Sequence, residues 1–477
     1  MTINNLQVYR SKRFEGLVDQ NKLSNAFFTQ PEVVNKTLSL IFGYHYGNPL
    51  ALLTGGIGKT KFVTNNEFEW NLMGDLEEPA VIVQDLTGTD GTAGLAGSQI
   101  ELVVNRDMFV SGEVVITDSR DYSLVVIGER EQVANGFKYT FQLIDGTENL
   151  SKYVPKGLLA AGRELSKDFT VYAEGDTRSG ITTYGTPFKM RNRLTIHRKH
   201  RDITGSAATD VMVVAMKDPA TGKTSFLWED LQNWIFLTQW YRELDRALIY
   251  NTYGQTPAPN GRLAFTGAGL RQQIAPANKR EYTVLTENVI REFLMDLSYN
   301  VLDKGQRKFV ALCGEGFMDL FDRAMKDSIG GLGMVLSDTK FITGSGQELS
   351  FGSQFKTYKG LNGTEVTLMH LPVYDDPIHN RELHPIYLRP LESYRATFIE
   401  YGHYDGESNI QKIAKQGREQ LMWTTGGSMG PNGGHTSPST IASNSFDGYK
   451  VEALAEIGIK LHNPLSCGEL IPAVAGV

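Results

Sequence analysis

Cysteine is nearly absent. Cys313 and Cys467 are the only two in 477 residues, too few for a disulfide framework, and a reducing compartment is the simpler expectation. There is no apolar run of the ~18 residues that a membrane-spanning helix requires. The N-terminal stretch MTINNLQVYRSKRFEG lacks the apolar centre of a secretory signal. Charge of one sign is scarce as well. Lys and Arg number 47 against 54 Asp and Glu, a net charge of −7, so bulk electrostatics gives no reason to expect a nucleic-acid binder. Glycine, by contrast, is plentiful: 49 residues is above the usual ~7%, which implies many turns and long loops. Hydrophobic and charged contents of 41% and 21% are those of a folded soluble chain, and the length allows about three domains.

Motifs that carry chemistry fail on spacing or context. LLTGGIGKTKF (52–62) ends in Gly58-Lys59-Thr60, like a phosphate-binding loop. That loop needs a first glycine where Leu53 stands, and it must open a helix, whereas FVTNNEFEW reads as strand. Gly222-Lys223-Thr224 has Lys217 at the first-glycine position, and Asp218 and Pro219 deny it a backbone nest. A tight turn before a helix capped by Thr224 or Ser225 is the better reading. In DDPIHNRELH the residues Asp375, Asp376, His379, Glu382 and His384 are ligand types without ligand spacing, so a solvated loop is expected and no metal or other cofactor. Cys313 lies in an apolar strand, as a core thiol does.

Along the chain, residues 1–50 read as an arm with one short helix near Pro31–Phe42. From Pro79 to Gly146 short β-rich runs, IELVV, EVVIT, YSLVVIG and FKYTFQL, recur around turns such as Asn135-Gly136, which suggests a small barrel or sandwich. Residues 150–210 read as a long hairpin, followed by a buried strand, DVMVVAM. Then comes the strongest local signal, a helix over Thr224–Tyr253 about 40 Å long. Its predicted apolar stripe includes Leu231, Trp234, Leu237, Tyr241, Leu244 and Leu248, and its surplus aromatics imply burial on more than one side. Helix–strand alternation follows: TENVIREFLMDLSYNVL with Ile290, Phe293, Leu297 and Val301 on one face, KFVALC, EGFMDLFDRAMKD, EVTLMHLPVY, HPIYLRP and ATFIEYG. GGSMGPNGGHTSPSTIAS (426–443) is loop by composition, and Tyr449–Leu461 is a final strand ended by Asn463-Pro464.

The basic cluster Lys189, Arg191, Arg193, Arg198, Lys199 and Arg201 admits three readings: nucleic-acid contact, a solvated hairpin face, or a clamp on carboxylates of a neighbouring subunit. The acidic balance and the lack of interleaved aromatics argue against the first, and the clamp is the reading preferred.

Arm, long hairpin, very long helix, α/β region and late strand, in that order, resemble the major capsid proteins of tailed bacteriophages, the Hong Kong 97-type fold, with the texture of crAss-like phages of gut Bacteroidales. The resemblance implies an α+β fold with a spine helix, an extended E-loop, an axial (A) domain, a peripheral (P) domain and, as a departure, the inserted β domain. It implies an arm over 1–50, the start of the E-loop region over 51–78, the inserted domain over 79–150, the E-loop return over 151–210, the P domain with the spine over 211–263, the A domain over 264–425 and a return to the P domain over 426–477. It implies no enzyme, but a shell subunit that assembles with itself into hexamers and pentamers around phage DNA, in the virion, alongside portal, scaffold and decoration proteins and without a membrane. An encapsulin-like compartment protein, a tail or baseplate component and a P-loop nucleotide hydrolase are the alternatives.

Overall fold

The computed structural model describes residues 2–3, 6–7, 60–73, 79–87, 91–177, 180, 182, 187–217, 224–299, 307–331, 341–342, 348–349, 357–360, 363–404, 406–427 and 445–473. The chain divides into two compact units, Met1–Glu69 with Arg191–Val477, and Trp70–Met190.

The Trp70–Met190 unit is built on a closed barrel of six strands, in the order Gly136–Leu143, Gln99–Val104, Ala80–Asp85, Glu164–Thr170, Glu113–Thr117, Ser123–Val133. The pairings are antiparallel. Alternating residues fill the lumen: Ile100, Leu102 and Val104 of one strand meet Tyr139, Phe141 and Leu143 of the next. Phe109 sets its ring edge-on to Tyr139 at 5.5 Å and to Phe141 at 6.2 Å. Closure removes the unpaired strand edges that a small open sheet would leave. Gly136, in the expected Asn135-Gly136 turn, has φ +150°, and a Cβ there would lie 2.2 Å from the Val104 carbonyl oxygen. The expected boundary at 150 is too early, because Glu164–Thr170 pairs with both Ala80–Asp85 and Glu113–Thr117 and closes the barrel. That strand is largely polar and exposed, with Leu165 its buried residue, so it carries no apolar alternation.

The other unit is built on two large sheets, with smaller two-stranded ones beside them. A mixed six-stranded sheet runs Lys279–Tyr282, Gly468–Pro472, Ala396–Glu400, Lys308–Cys313, Glu365–His370, Thr357–Lys359. Helices Glu287–Tyr299 and Glu315–Gly331 share one core with Phe309, Ala311, Cys313, Ala396 and Phe398 of this sheet. Leu312 and Ile399, one residue out of step, join a second core with Trp240, Leu244 and Leu248 of the long helix and with Ala453, Ala455, Ile457, Ile459 and Leu461. The second sheet is centred on Gly448–Leu461, flanked by Thr195–Thr204 on one side and by Ile410–Lys415 and Leu421–Gly426 on the other, with Lys61–Val63 beyond Ile410–Lys415.

Several expectations change. The long helix is Trp228–Tyr250, because Thr224–Leu227 is a strand paired with Val211–Lys217; no cap forms at 224 or 225. The long hairpin of 150–210 does not form: Thr195–Thr204 pairs with Gly448–Leu461, and Phe188–Arg193 with Glu67–Leu72. HPIYLRP is a run of turns with one isolated bridge, Leu383 to Pro390. Gly468–Pro472 is a strand that the Asn463-Pro464 stop hid. The expected helix near 31–42 lies outside the described residues, as does the expected loop 426–443 from residue 428 on; its first residue, Gly426, ends strand Leu421–Gly426.

One ion triad ties the first strand of this sheet to its neighbours. Glu407 pairs with Lys61 and, at 2.8 Å, with Lys460. Burial pushes its carboxyl up, but the hydrogen bonds and charges of Lys460 and Lys61 outweigh that and bring it down to about 2. A lowered folded-state pKa stabilises above the ordinary carboxylate range and loses that stability as pH falls toward 2. Acid titration of Lys460→Met is therefore expected to show a shallower loss of stability than the natural chain between about pH 4.5 and 2, checked by urea midpoints at each pH.

Candidate functional site

The fold brings a serine, a histidine and an aspartate together, in the wrong order for catalysis. Asp375 sits in the middle: the Ser393 hydroxyl donates to its Oδ1, and His370 Nε2 lies 2.6 Å from its Oδ2. A nucleophile needs the base on its own oxygen. Ser393 Oγ instead accepts the Gly316 N–H at 2.9 Å, and Asp375 accepts the Glu315 N–H at 3.0 Å. The cluster caps the start of helix Glu315–Gly331, satisfying N–H groups that a helix leaves unpaired. The hydrogen bond to Asp375 raises the His370 pKa against the opposing effect of partial burial.

Three other ligand-type residues of that loop, Asp376, His379 and His384, are also internally engaged. Asp376 accepts the Ile378 N–H at 2.9 Å and lies 2.7 Å from His379 Nδ1, and His384 Nδ1 accepts from the Ile386 N–H at 3.2 Å. Among the described residues no group of three or more His, Cys, Asp or Glu is placed to hold a metal ion. Gly58-Lys59 and residues 218–223 lie outside the described residues. Each leads into a strand, Lys61–Val63 and Thr224–Leu227 respectively, where a phosphate-binding loop would open a helix. No helix of the described residues is long and apolar enough to cross a membrane. Both thiols are buried and free; burial pushes both up, Cys467 to about 12. A colorimetric thiol reagent is expected to find neither cysteine in the native chain and both after denaturation; fast labelling of the native chain would contradict their burial.

The basic cluster is shared out within its own chain. Arg191 Nε donates to Glu69 at 2.8 Å and Arg193 Nε to Glu67 at 2.6 Å. Arg193 also lies over the rings of Tyr253 and Phe265, at 4.7 and 5.1 Å. Arg198 pairs with Glu452 at 3.1 Å, and Lys199 with Glu243 and Gln239. Arg201 is buried and donates to the Glu229 carbonyl, and burial lowers its pKa against the pull of Tyr449 and Glu229. Lys189 is engaged too. Within their own chain Arg191, Arg193 and Arg198 meet carboxylates on distant strands, and Arg201 meets a backbone carbonyl of the long helix. Reversing Arg191, Arg193 and Arg198 to Glu would set each against a carboxylate it now pairs, so that variant tests the subunit's own stability first.

The long helix also departs from its predicted stripe. Leu231, Leu244 and Leu248 are buried, Trp234 and Leu237 are half-buried, and Tyr241 is 43% exposed, its hydroxyl accepting from Gln420 Nε2 at 3.1 Å. Phe236 and Trp240 replace it, so the buried ridge is the i+4 row Phe236, Trp240, Leu244, Leu248. Trp240 is consumed by its own core, and Trp234 alone of the two tryptophans keeps surface for a neighbour. Asp245, one residue past Leu244, is 1% exposed, with neither carboxylate oxygen hydrogen-bonded among the described residues. Nothing in the local sequence marks it.

The chain combines long extended strands with three apolar cores, one in the barrel and two about the sheets of the other unit. Its sequence matches the family described as Crassvirus major capsid protein over residues 1–475, and it belongs to that family. It is thus a major capsid protein of a phage, a virion component. The curated "Major capsid protein" of Bacteroides phage crAss001 is 24% identical over 503 residues, covering 99% of each chain. Solved structures overlap it loosely. A chain from Mycobacterium phage Bobi covers 94% of this chain and 96% of its own length at TM-score 0.38 and 10% identity. The SrpI encapsulin of Synechococcus elongatus covers 61% and 79% at TM-score 0.35 and 11% identity. The family assignment rests on the sequence match.

Proposed function

We propose that this major capsid protein closes an icosahedral shell of hexamers and pentamers around a phage double-stranded DNA genome, with the Hong Kong 97-type division of labour. The observation that carries the reading is the family match across residues 1–475. Helix Trp228–Tyr250 is then the spine, the six-stranded sheet and its two helices the axial domain, and Gly448–Leu461 the strand that returns to the peripheral domain. The strand pair Glu67–Leu72 and Phe188–Arg193 opens and closes the E-loop region, with the barrel as the insertion between them. Portal, scaffold and decoration proteins complete the particle, which assembles in the host cytoplasm. A modest net charge of −7 suits a wall that must enclose DNA without trapping it through many phosphate contacts.

Many weak contacts repeated by symmetry hold such a shell. Electron microscopy of the purified chain is expected to show closed particles tens of nanometres across. A chain that stays monomeric at every salt and protein concentration would falsify the reading; open tubes or small rings would point to a tail or baseplate role.

A further inference from the structure

The loop between strand Glu365–His370 and the helical turn Leu391–Tyr394 is held in one shape and turned outward. Asn380 Nδ2 donates to the Val373 and Tyr374 carbonyls at 2.9 and 3.0 Å. Backbone bonds join His384 N to Arg389 O at 2.8 Å and Leu391 N to Glu382 O at 2.7 Å. The His384 ring lies 4.8 Å from Tyr387 and 4.6 Å from Tyr394. Yet this braced loop leaves Ile378 67%, Ile386 76% and Leu388 72% exposed. Leu388 takes φ +54°, a left-handed conformation that costs a non-glycine residue about 1–2 kcal/mol. Folding alone gives no reason to hold aliphatic side chains rigidly in water; docking does, because a preordered loop loses little entropy on binding. Arg381 and Arg389 rim the patch, exposed and without an ion-pair partner among the described residues. Three carboxylates share the loop: Glu382 is exposed, Asp375 is engaged by His370 and Ser393, and Asp376 is buried against His379 and Arg246.

A surface of complementary chemistry lies on the same domain. Helix Glu287–Tyr299 buries Ile290, Phe293, Leu294 and Leu297 and turns Glu292, Met295, Asp296 and Tyr299 outward, Tyr299 at 86% exposure. Arg280, at 2.9 Å from Glu292 and 4.0 Å from Asp296, serves two carboxylates with one guanidinium, and Arg291 turns aside to Asn288. The two patches cannot meet within one chain. Strands Lys279–Tyr282 and Lys308–Cys313 run in the same direction through the sheet, so the helix joining them runs back and carries Tyr299 to the end of the sheet opposite the loop.

We propose that the loop's Ile386 and Leu388, rimmed by Arg381 and Arg389, dock on Met295 and Tyr299, rimmed by Glu292 and Asp296, of a second copy of this chain. The contact joins two different surfaces, so it is heterologous and repeats from copy to copy. It rests on the shell reading and names one of the contacts such a shell would use.

The test combines a charge swap with a crosslink in the full chain. Arg381→Glu with Arg389→Glu is expected to abolish particles in sedimentation and microscopy while leaving the circular dichroism and melting temperature of the subunit in place. Adding Glu292→Arg and Asp296→Arg is expected to restore them. Leu388→Cys with Met295→Cys is expected to give a ladder of disulfide-linked copies under mild oxidation; the natural thiols are buried and do not compete. Particles from the natural chain that are indifferent to the reversal, a reversal that the swap fails to rescue, or an absent ladder each overturn the docking assignment and leave the shell reading standing. A natural chain that forms no particles, together with no ladder from the cysteine pair, overturns both.

Discussion

Replacing Glu469 by alanine is expected to destabilise the subunit by about 3–5 kcal/mol, the range for removing one partner of a buried ion pair. Its side chain is 1% exposed and faces two guanidinium groups, Arg271 Nε at 3.1 Å and Arg395 at 3.4 Å. The Thr397 hydroxyl adds a bond at 3.4 Å. Glu392 completes the set, 2.9 Å from Arg395 Nε and 3.4 Å from Arg271. Two positive and two negative groups thus balance where the sheet, the short helix Leu270–Gln273 and the end of the long helix converge, with Arg271 lying 5.2 Å from the Tyr250 ring centroid. Removing Glu469 leaves two half-buried guanidinium groups with one carboxylate, and the desolvation cost of the unpaired charge dominates the loss. Glu469→Gln keeps the shape without the charge and is expected to lose most of the same stability. Glu392→Ala, at a more exposed position, is expected to lose about 1 kcal/mol. Urea midpoints of the unassembled chain decide it: a Glu469→Ala midpoint within about 0.5 kcal/mol of the natural chain would show that the network is not coupled.

The elements that were legible in the sequence share one property: their pattern is complete within a single run of residues. Helices Glu287–Tyr299 and Glu315–Gly331, the long helix apart from its first turn, and four of the barrel strands announce themselves by period. What escaped depends on partners elsewhere. Glu164–Thr170 is a strand because Glu113–Thr117 and Ala80–Asp85 offer it edges, and its own polar composition says nothing. Gly468–Pro472 is a strand because Ala396–Glu400 and Lys279–Tyr282 flank it. The basic cluster reads as unpartnered for the same reason: Glu69 precedes Arg191 by 122 residues and Glu452 follows Arg198 by 254. Charges that neutralise one another across such separations look like surplus in one dimension. The exposed aliphatic loop escaped in the opposite way. DDPIHNRELH draws attention by its ligand types, while the residues that matter to its surface, Ile386 and Leu388, belong to a run that reads as strand.

Asp245 carries the other large expected effect, and its sign depends on pH. The carboxylate is buried on the long helix with no hydrogen bond to either oxygen among the described residues. Burial pushes it up to about 7, with Arg246 pulling weakly the other way. In the unfolded chain the same group ionises near 3.8. A folded-state pKa raised in this way leaves full stability below the unfolded value, and stability then falls as pH rises through the folded value. Between about pH 4 and 7 the unfolded chain gives up a proton that the folded chain must keep, and above 7 the folded chain holds a buried charge that water would otherwise solvate. Asp245→Asn has nearly the same shape and no charge to bury. It is expected to match the natural chain within about 1 kcal/mol at pH 4 and to exceed its stability by about 2–4 kcal/mol at pH 8, the gap opening across the interval. Urea midpoints of both chains at intervals from pH 4 to 8 measure that gap directly. A constant difference across the range would mean that Asp245 ionises in the folded chain as it does in the unfolded one, and would remove the buried carboxylate as a source of pH dependence in this subunit.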